Sequence, residues 1–280
     1  MKLTTIYLTV VMLLATTIHL HAQSDSQTVI TSTSINPTLA ANSENILKME
    51  MARQKPPLNI IKVNLTALLL KNYSFQYERV MTRKISVAVQ YRIMPETDIP
   101  FKSSILKIVG NEDPDTKKLI EDFKMSNYAI TPEVRIYLSR KGYGRGFYIA
   151  PFYRYASFTS NNLNVFYTDD ADVEQSIKMS GKLTSNTGGL LIGAQSSLGK
   201  HVVLDISILG PHYGTGTGMF SGIPSKPLTA DEQNDLRGQL ENIDIPLTEK
   251  TVNVNANSAS LKLDGPWAGL RFAISLGVRF

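Results

Sequence analysis

Two histidines, no cysteine and a set of charged residues at alternate positions are the chemical material this sequence offers beyond its first 22 residues. His19 and His21 belong to an apolar leader, which leaves His201 and His212 as candidate general bases. Nucleophilic or acid–base catalysis needs such a base beside a hydroxyl or thiol. The absence of cysteine removes the thiol nucleophile, any disulfide framework and any Cys-based metal site. The run Pro211–Gly218 (PHYGTGTG) is glycine-rich like a phosphate loop, but it lacks the strand-to-helix setting and the following lysine that such a loop requires. What remains is a group of both signs: Lys62, Glu78, Arg92, Glu133, Arg135, Arg154, Asp205, Arg271 and Arg279. Each falls on the polar side of an alternating segment. Buried charges persist only when paired, so the expected chemistry is an ion-pair network. No catalytic, cofactor-binding or metal-binding residue is expected.

The elements that must position these residues read as strands. In Trp267–Phe280 every even position from Ala268 to Phe280 is apolar, while the odd positions include Arg271, Ser275 and Arg279. A helix would hold Gly269 and Gly277 in its interior, each costing roughly 1 kcal/mol against alanine, and period two is kept without a miss. The same alternation predicts strands over 59–69, 73–80, 85–93, 128–139, 146–159, 187–198 and 202–208. Charge lies on one face of these segments, and a charge facing lipid near mid-membrane costs about 2 to 4 kcal/mol. The apolar faces are therefore expected outside, toward lipid, and the charged faces inside. In strand five, Phe147, Ile149, Tyr153 and Tyr155 are placed outward because that puts Arg154 inside.

The connections are expected to be of two kinds. Lys71–Asn72, Met81–Lys84, Arg140–Arg145 and Gly199–Lys200 read as short turns. Met94–Asn127, Ser160–Thr184 and Gly210–Ser260 read as long polar loops, with short helices expected over 115–124 and 229–243. All three connections on one side are short and three of the four on the other are long, the asymmetry of outer-membrane barrels; only the short first hairpin at Lys71–Asn72 departs from it. The fold class expected is all-β: an eight-stranded antiparallel up-and-down transmembrane β-barrel with short periplasmic turns and long outer loops.

Residues 1–22 carry a cationic start, an apolar core and small residues near Ala22, the pattern of a signal peptide. Residues 23–57 open with a Ser/Thr-rich run and read as a flexible periplasmic segment, with a short helix over 43–53. The barrel is expected over 58–280. The net charge of +5 is dispersed rather than clustered, so a nucleic-acid partner is not implied.

The closing pattern, with Phe280 terminal and Val278, Leu276, Ile274 and Phe272 at alternate positions, resembles the C-terminal signature of bacterial outer-membrane barrels. That resemblance implies that Phe280, Val278 and Leu276 form an assembly signal read by the barrel-assembly machinery. The segment from Asn59 to Pro95, with its Lys62-x-Asn64 start and Tyr77-Glu78-Arg79 close, together with FYIAPFYRY in strand five, resembles a family of small outer-membrane barrels of unknown function from Bacteroidetes. It implies location and fold, with no activity. Barrels similar to lipid A deacylases carry a histidine followed two residues later by serine, and neither His201 nor His212 has one. The favoured expectation is a non-enzymatic structural or interaction scaffold in the outer membrane, displaying surface loops. A narrow pore and a lipid A-modifying enzyme are the alternatives. Expected partners are outer-membrane lipid, the assembly machinery and other envelope or extracellular proteins met through the loops.

Overall fold

Period two with one charged face dictates the architecture of the computed structural model, which describes residues 57–98, 102–103, 106, 123–243, 245 and 247–280. Among these residues nine strands follow in order: β1 (Asn59–Asn64), β2 (Tyr73–Val80), β3 (Ile85–Asp98), β4 (Lys124–Tyr137), β5 (Gly146–Thr168), β6 (Glu174–Leu198), β7 (Val202–Gly222), β8 (Glu249–Asn255) and β9 (Ser258–Arg279). Sequential neighbours pair antiparallel from β1 to β7, and β7 then pairs with β9. β9 returns to β1, setting Ile60 opposite Arg279 and Asn64 opposite Ser275. One sheet thus rings through eight strands. β8 lies outside the ring and pairs only with the first part of β9. The expected signal peptide, residues 23–56 of the expected N-terminal segment with its helix, and residues 115–122 of the helix expected over 115–124 lie outside the described residues, while Lys124 is strand rather than helix.

The two ends of the ring differ. At the terminal end the chain enters at Asn59 and leaves at Phe280, and the two residues exchange backbone hydrogen bonds of 3.0 and 2.9 Å. The 81–84, 138–145 and 199–201 turns lie at this end. The other, distal end carries the β1–β2, β3–β4 and β5–β6 connections and the chain between β7 and β9.

Several expectations about the distal end are corrected. The first strand stops at Asn64 rather than continuing to Leu69. The Asn64 side chain accepts the Ala67 N–H at 3.0 Å and caps a one-turn helix, α1 (Leu65–Leu69), built from Thr, Ala and Leu; Ala and Leu are good helix formers. Ser160–Thr184 is not a loop but the paired continuation of β5 and β6, joined by a turn at 169–173. Much of Gly210–Ser260 is likewise strand, in β7, β8 and β9, and Pro211–Gly218 runs through the middle of β7. β3 also extends to Asp98 and β4 begins at Lys124.

These strand extensions exist because they bury something. Val165 and Tyr167 of β5, Ile177 and Met179 of β6, Val254 of β8, and Ala259, Leu261 and Leu263 of β9 form an apolar core beyond the ring. The helix α2 (Ala230–Glu241) closes it with Leu236 and Leu240, both fully buried. A capping box starts α2: Thr229 accepts the Glu232 N–H, and the Glu232 carboxylate accepts the Thr229 N–H. At the β5–β6 turn, Asp169 accepts the N–H groups of Val173 and Ala171, each at 3.0 Å. The Val173 N–H does most to hold that carboxyl below its ordinary range. A depressed carboxyl stabilises the turn above its unfolded value, and the contribution is lost as pH falls through the folded one. The distal end is therefore a packed lobe.

This lobe has its own testable stability. Leu236→Ala should remove about 2 to 5 kcal/mol from it, seen as faster trypsin cleavage at the adjacent Arg237 while the ring keeps its resistance to detergent. Unchanged cleavage would mean that α2 does not depend on this core.

Candidate functional site

Alternation puts one side chain in two inside the ring, and the stagger of the strands decides which of them meet. Ile60, Val80 and Val203 form an apolar plug at the terminal end, with Leu58 and Tyr143 packed against it. Arg279 latches the 138–145 turn over this plug by donating to the carbonyls of Tyr143 at 2.7 Å and Gly144 at 3.1 Å. His201 lies at this same end, its Nδ1 3.2 Å from the Arg279 carbonyl.

Above the plug sits a dense polar layer. Lys62 Nζ, from β1, donates to Glu78 Oε2, Gln195 Oε1 and Asp205 Oδ2, all at 2.6 Å. Arg135, from β4, reaches Asp205 Oδ2 at 2.6 Å, Glu133 Oε1 at 2.7 Å and Gln76 Oε1 at 3.0 Å. The partners of Lys62 and Arg135 come from strands on opposite walls, so the contacts span the lumen. Glu78 Oε1 also accepts the hydroxyls of Ser86 at 2.6 Å and Tyr137 at 2.7 Å. Tyr148 donates to Asp205 Oδ1 at 2.8 Å, and the Arg135 guanidinium lies 4.4 Å from the centre of its ring. A Cβ on Gly193 would come within 2.4 Å of the Tyr148 ring carbon and hydroxyl. Only glycine there leaves space for this ring.

Arg271 of β9 completes the layer, reaching Glu133 Oε2 at 3.2 Å and Gln90 Oε1 at 2.7 Å. Lys62, Arg135 and Arg271 thus face Glu78, Glu133 and Asp205, three cations against three carboxylates, with nearly every lone pair used. The layer binds strands to one another, and it fills the lumen where it lies.

Arg92 and Arg154 stand apart from this set. Arg92 donates to Asn127 Oδ1 at 2.8 Å, and Arg154 donates to Thr131 Oγ1 at 3.2 Å. Among the described residues neither has a carboxylate partner. Of the nine charged residues expected inside, six therefore meet in one network, Arg92 and Arg154 occupy the storey above it, and Arg279 lies at the terminal end. His212 is in that storey too, its ring 6.0 Å from that of Phe152. Tyr148, Gln76 and Gln195 are network members as firmly placed as the charges. Tyr148 carries no charge to mark it in the sequence, and its alternation with Ala150, Phe152 and Arg154 is the signal that places it inside. Among the described residues no group of three or more His, Cys, Asp or Glu side chains is arranged to hold a metal ion. Leu276, Val278 and Phe280, the residues expected to form an assembly signal, all point away from the lumen and are exposed.

No curated protein and no solved structure matches the chain. A family model does, over residues 46–216, which takes in β1 to β6, most of β7, and every network residue except Arg271. Because that match covers more than half of the sequence, the chain belongs to the family described as protein of unknown function (DUF3575).

Proposed function

We propose that this protein is an outer-membrane β-barrel, and that it works as a non-catalytic scaffold holding the distal lobe at the cell surface. The observation that carries the reading is the outer face of the ring. Ile61, Phe75, Val87, Val89, Ile130, Val134, Ile192, Ile206, Phe272 and Ile274 are all exposed there, while Lys62, Glu78, Glu133, Arg135, Arg154 and Asp205 are buried inside. A soluble protein gains nothing from that inversion, since large exposed apolar patches invite association. From Ile85 to Ile93 the outward residues of β3 cover eight steps, about 26 Å of strand at roughly 3.3 Å each. At a tilt of about 40° this rises roughly 20 Å, close to the apolar band of about 25 Å on outer-membrane barrels.

Orientation follows from the two ends. Barrels of this type keep short turns toward the periplasm and longer connections outside, so the terminal end faces the periplasm and the lobe faces out. The apolar plug, the latched 138–145 turn and the ionic layer support a sealed lumen rather than a pore. The lobe, held by its own core, supports contact with other envelope or extracellular proteins. Outer-membrane lipid surrounds the belt, and the assembly machinery inserts it through the strand ending in Phe280.

The test is physical behaviour in membranes. Folded protein in mild detergent should run faster on gels unheated than boiled, should float with outer-membrane vesicles, and should leave planar bilayers non-conducting. A heat-insensitive band recovered from the soluble periplasm sinks the membrane reading. Stable unitary conductance would keep the membrane and replace the scaffold by a pore.

A further inference from the structure

The charges inside the ring are unequally shared between two storeys. In the lower storey three cations meet three carboxylates at hydrogen-bond distance. In the upper one, among the described residues, Arg92 and Arg154 have only the neutral oxygens of Asn127 and Thr131. Arg154 is 7 % exposed. Burying a cation without a counter-charge is costly, and here the cost is compounded, because Arg92, Arg154 and Arg271 lie close enough to repel one another. Two buried nitrogens in the same storey, Arg92 Nε and His212 Nδ1, have no hydrogen-bond partner among the described residues. The unmet demand is for negative charge and for acceptors.

The walls of this storey are built to hold the groups in place. His212 packs edge-on to Phe152 at 6.0 Å, and the Arg271 guanidinium lies 4.3 Å from the centre of the same ring. A Cβ on Gly269 would come within 2.7 Å of His212 Nε2, so the glycine makes room for the imidazole. One storey further out, Phe158 of β5 meets Trp267 of β9 with ring centres 5.5 Å apart. Those strands are three places apart in the ring, so the rings meet across the lumen and roof the storey. We infer that the upper lumen, between the Glu133–Arg271 ion pair and the Phe158–Trp267 roof, is a binding site for a small tetrahedral oxyanion, phosphate or a free phosphomonoester, held by Arg92, Arg154 and His212. Paired guanidiniums suit phosphate because their N–H forks match its oxygens. The wall of the ring stands between this site and anything around it, so the anion is a free solute rather than a lipid headgroup. The inference needs the closed ring but not the membrane.

Full-length protein refolded in mild detergent, freed of phosphate by dialysis, would be titrated calorimetrically with inorganic phosphate and melted with and without it. One saturable site and a raised Tm are expected, both lost in Arg154→Gln. Arg154→Lys, which keeps the charge but not the fork, should bind about tenfold more weakly. In phosphate-free buffer Arg154→Gln should melt no lower than the parent, since it removes an unpaired cation; this separates lost binding from lost folding. No heat of binding, or a Tm rise matched by chloride at equal ionic strength, overturns the inference. So does an Arg154→Gln protein that melts well below the parent in phosphate-free buffer. A protein that floats with membranes yet binds no phosphate fails this inference alone, and one that binds phosphate but stays soluble fails only the membrane reading.

Discussion

Replacing Lys62 by methionine should cost this fold about 3 to 5 kcal/mol, the penalty of leaving a buried carboxylate pair short of its cation. Lys62 Nζ touches Glu78, Gln195 and Asp205 at 2.6 Å and is fully buried. Methionine fills similar volume, so the loss is electrostatic rather than a cavity. Three carboxylates would then face only Arg135 and Arg271. Adding Asp205→Asn returns the layer to balance, two cations against two carboxylates. The double variant should therefore be less destabilised than the sum of the singles by about 0.5 to 3 kcal/mol. Urea midpoints for refolding into lipid vesicles measure both quantities, with exposed Lys200→Met, expected within about 0.5 kcal/mol of the parent, as reference. Additive single costs would show that the layer is a set of separate contacts.

The second large effect tests the outer face. Leu276 is 41 % exposed and lies near the middle of the outward series from Leu270 to Phe280. In a bilayer, Leu276→Arg should lose about 2 to 4 kcal/mol. The next residue, Ser275, points inward and is nearly buried, so Ser275→Ala should lose no more than a hydrogen bond, about 0.5 to 1.5 kcal/mol. The ordering of the two in vesicle refolding is the discriminating result. In a soluble protein the order reverses, because an arginine at an exposed site costs little and a truncated interior side chain costs more.

The alternation that places the charged residues is legible because seven of the eight ring strands set an inner charge one position from outward apolar side chains, Arg79 at the end of β2 being an outward exception. Less legible were the points where a single local contact overrides that pattern. Leu65–Leu69 continues the apolar alternation of β1 on paper, and one cap from Asn64 turns it into a helix. The lobe reads as loops in the sequence because its strands are rich in asparagine: Asn161 and Asn162 stand at a register shift of β5, and Asn253 and Asn255 lie on the outer side of β8. Their inner sides, Leu163, Val165 and Tyr167 or Val252 and Val254, alternate as clearly as the ring does. Which charges meet was not legible at all. Lys62 and Asp205 are 143 positions apart in the chain, and their meeting depends on ring closure and strand stagger.

That closure sets an order on assembly. The hairpins β5–β6 and β6–β7 join neighbours in the chain through long ladders, whereas the β1–β9 seam has five ladder pairs beside the Asn59–Phe280 hydrogen bonds and joins Ile60 to Arg279. Contacts between such distant residues carry the largest loop-closure cost and form slowly, so the seam is the last edge to zip. Until it does, Lys62 lacks Asp205, and the inner charges of seven strands stand open to water. Sealing the seam and neutralising the lumen are thus one kinetic event, and the short first strand acts as its latch.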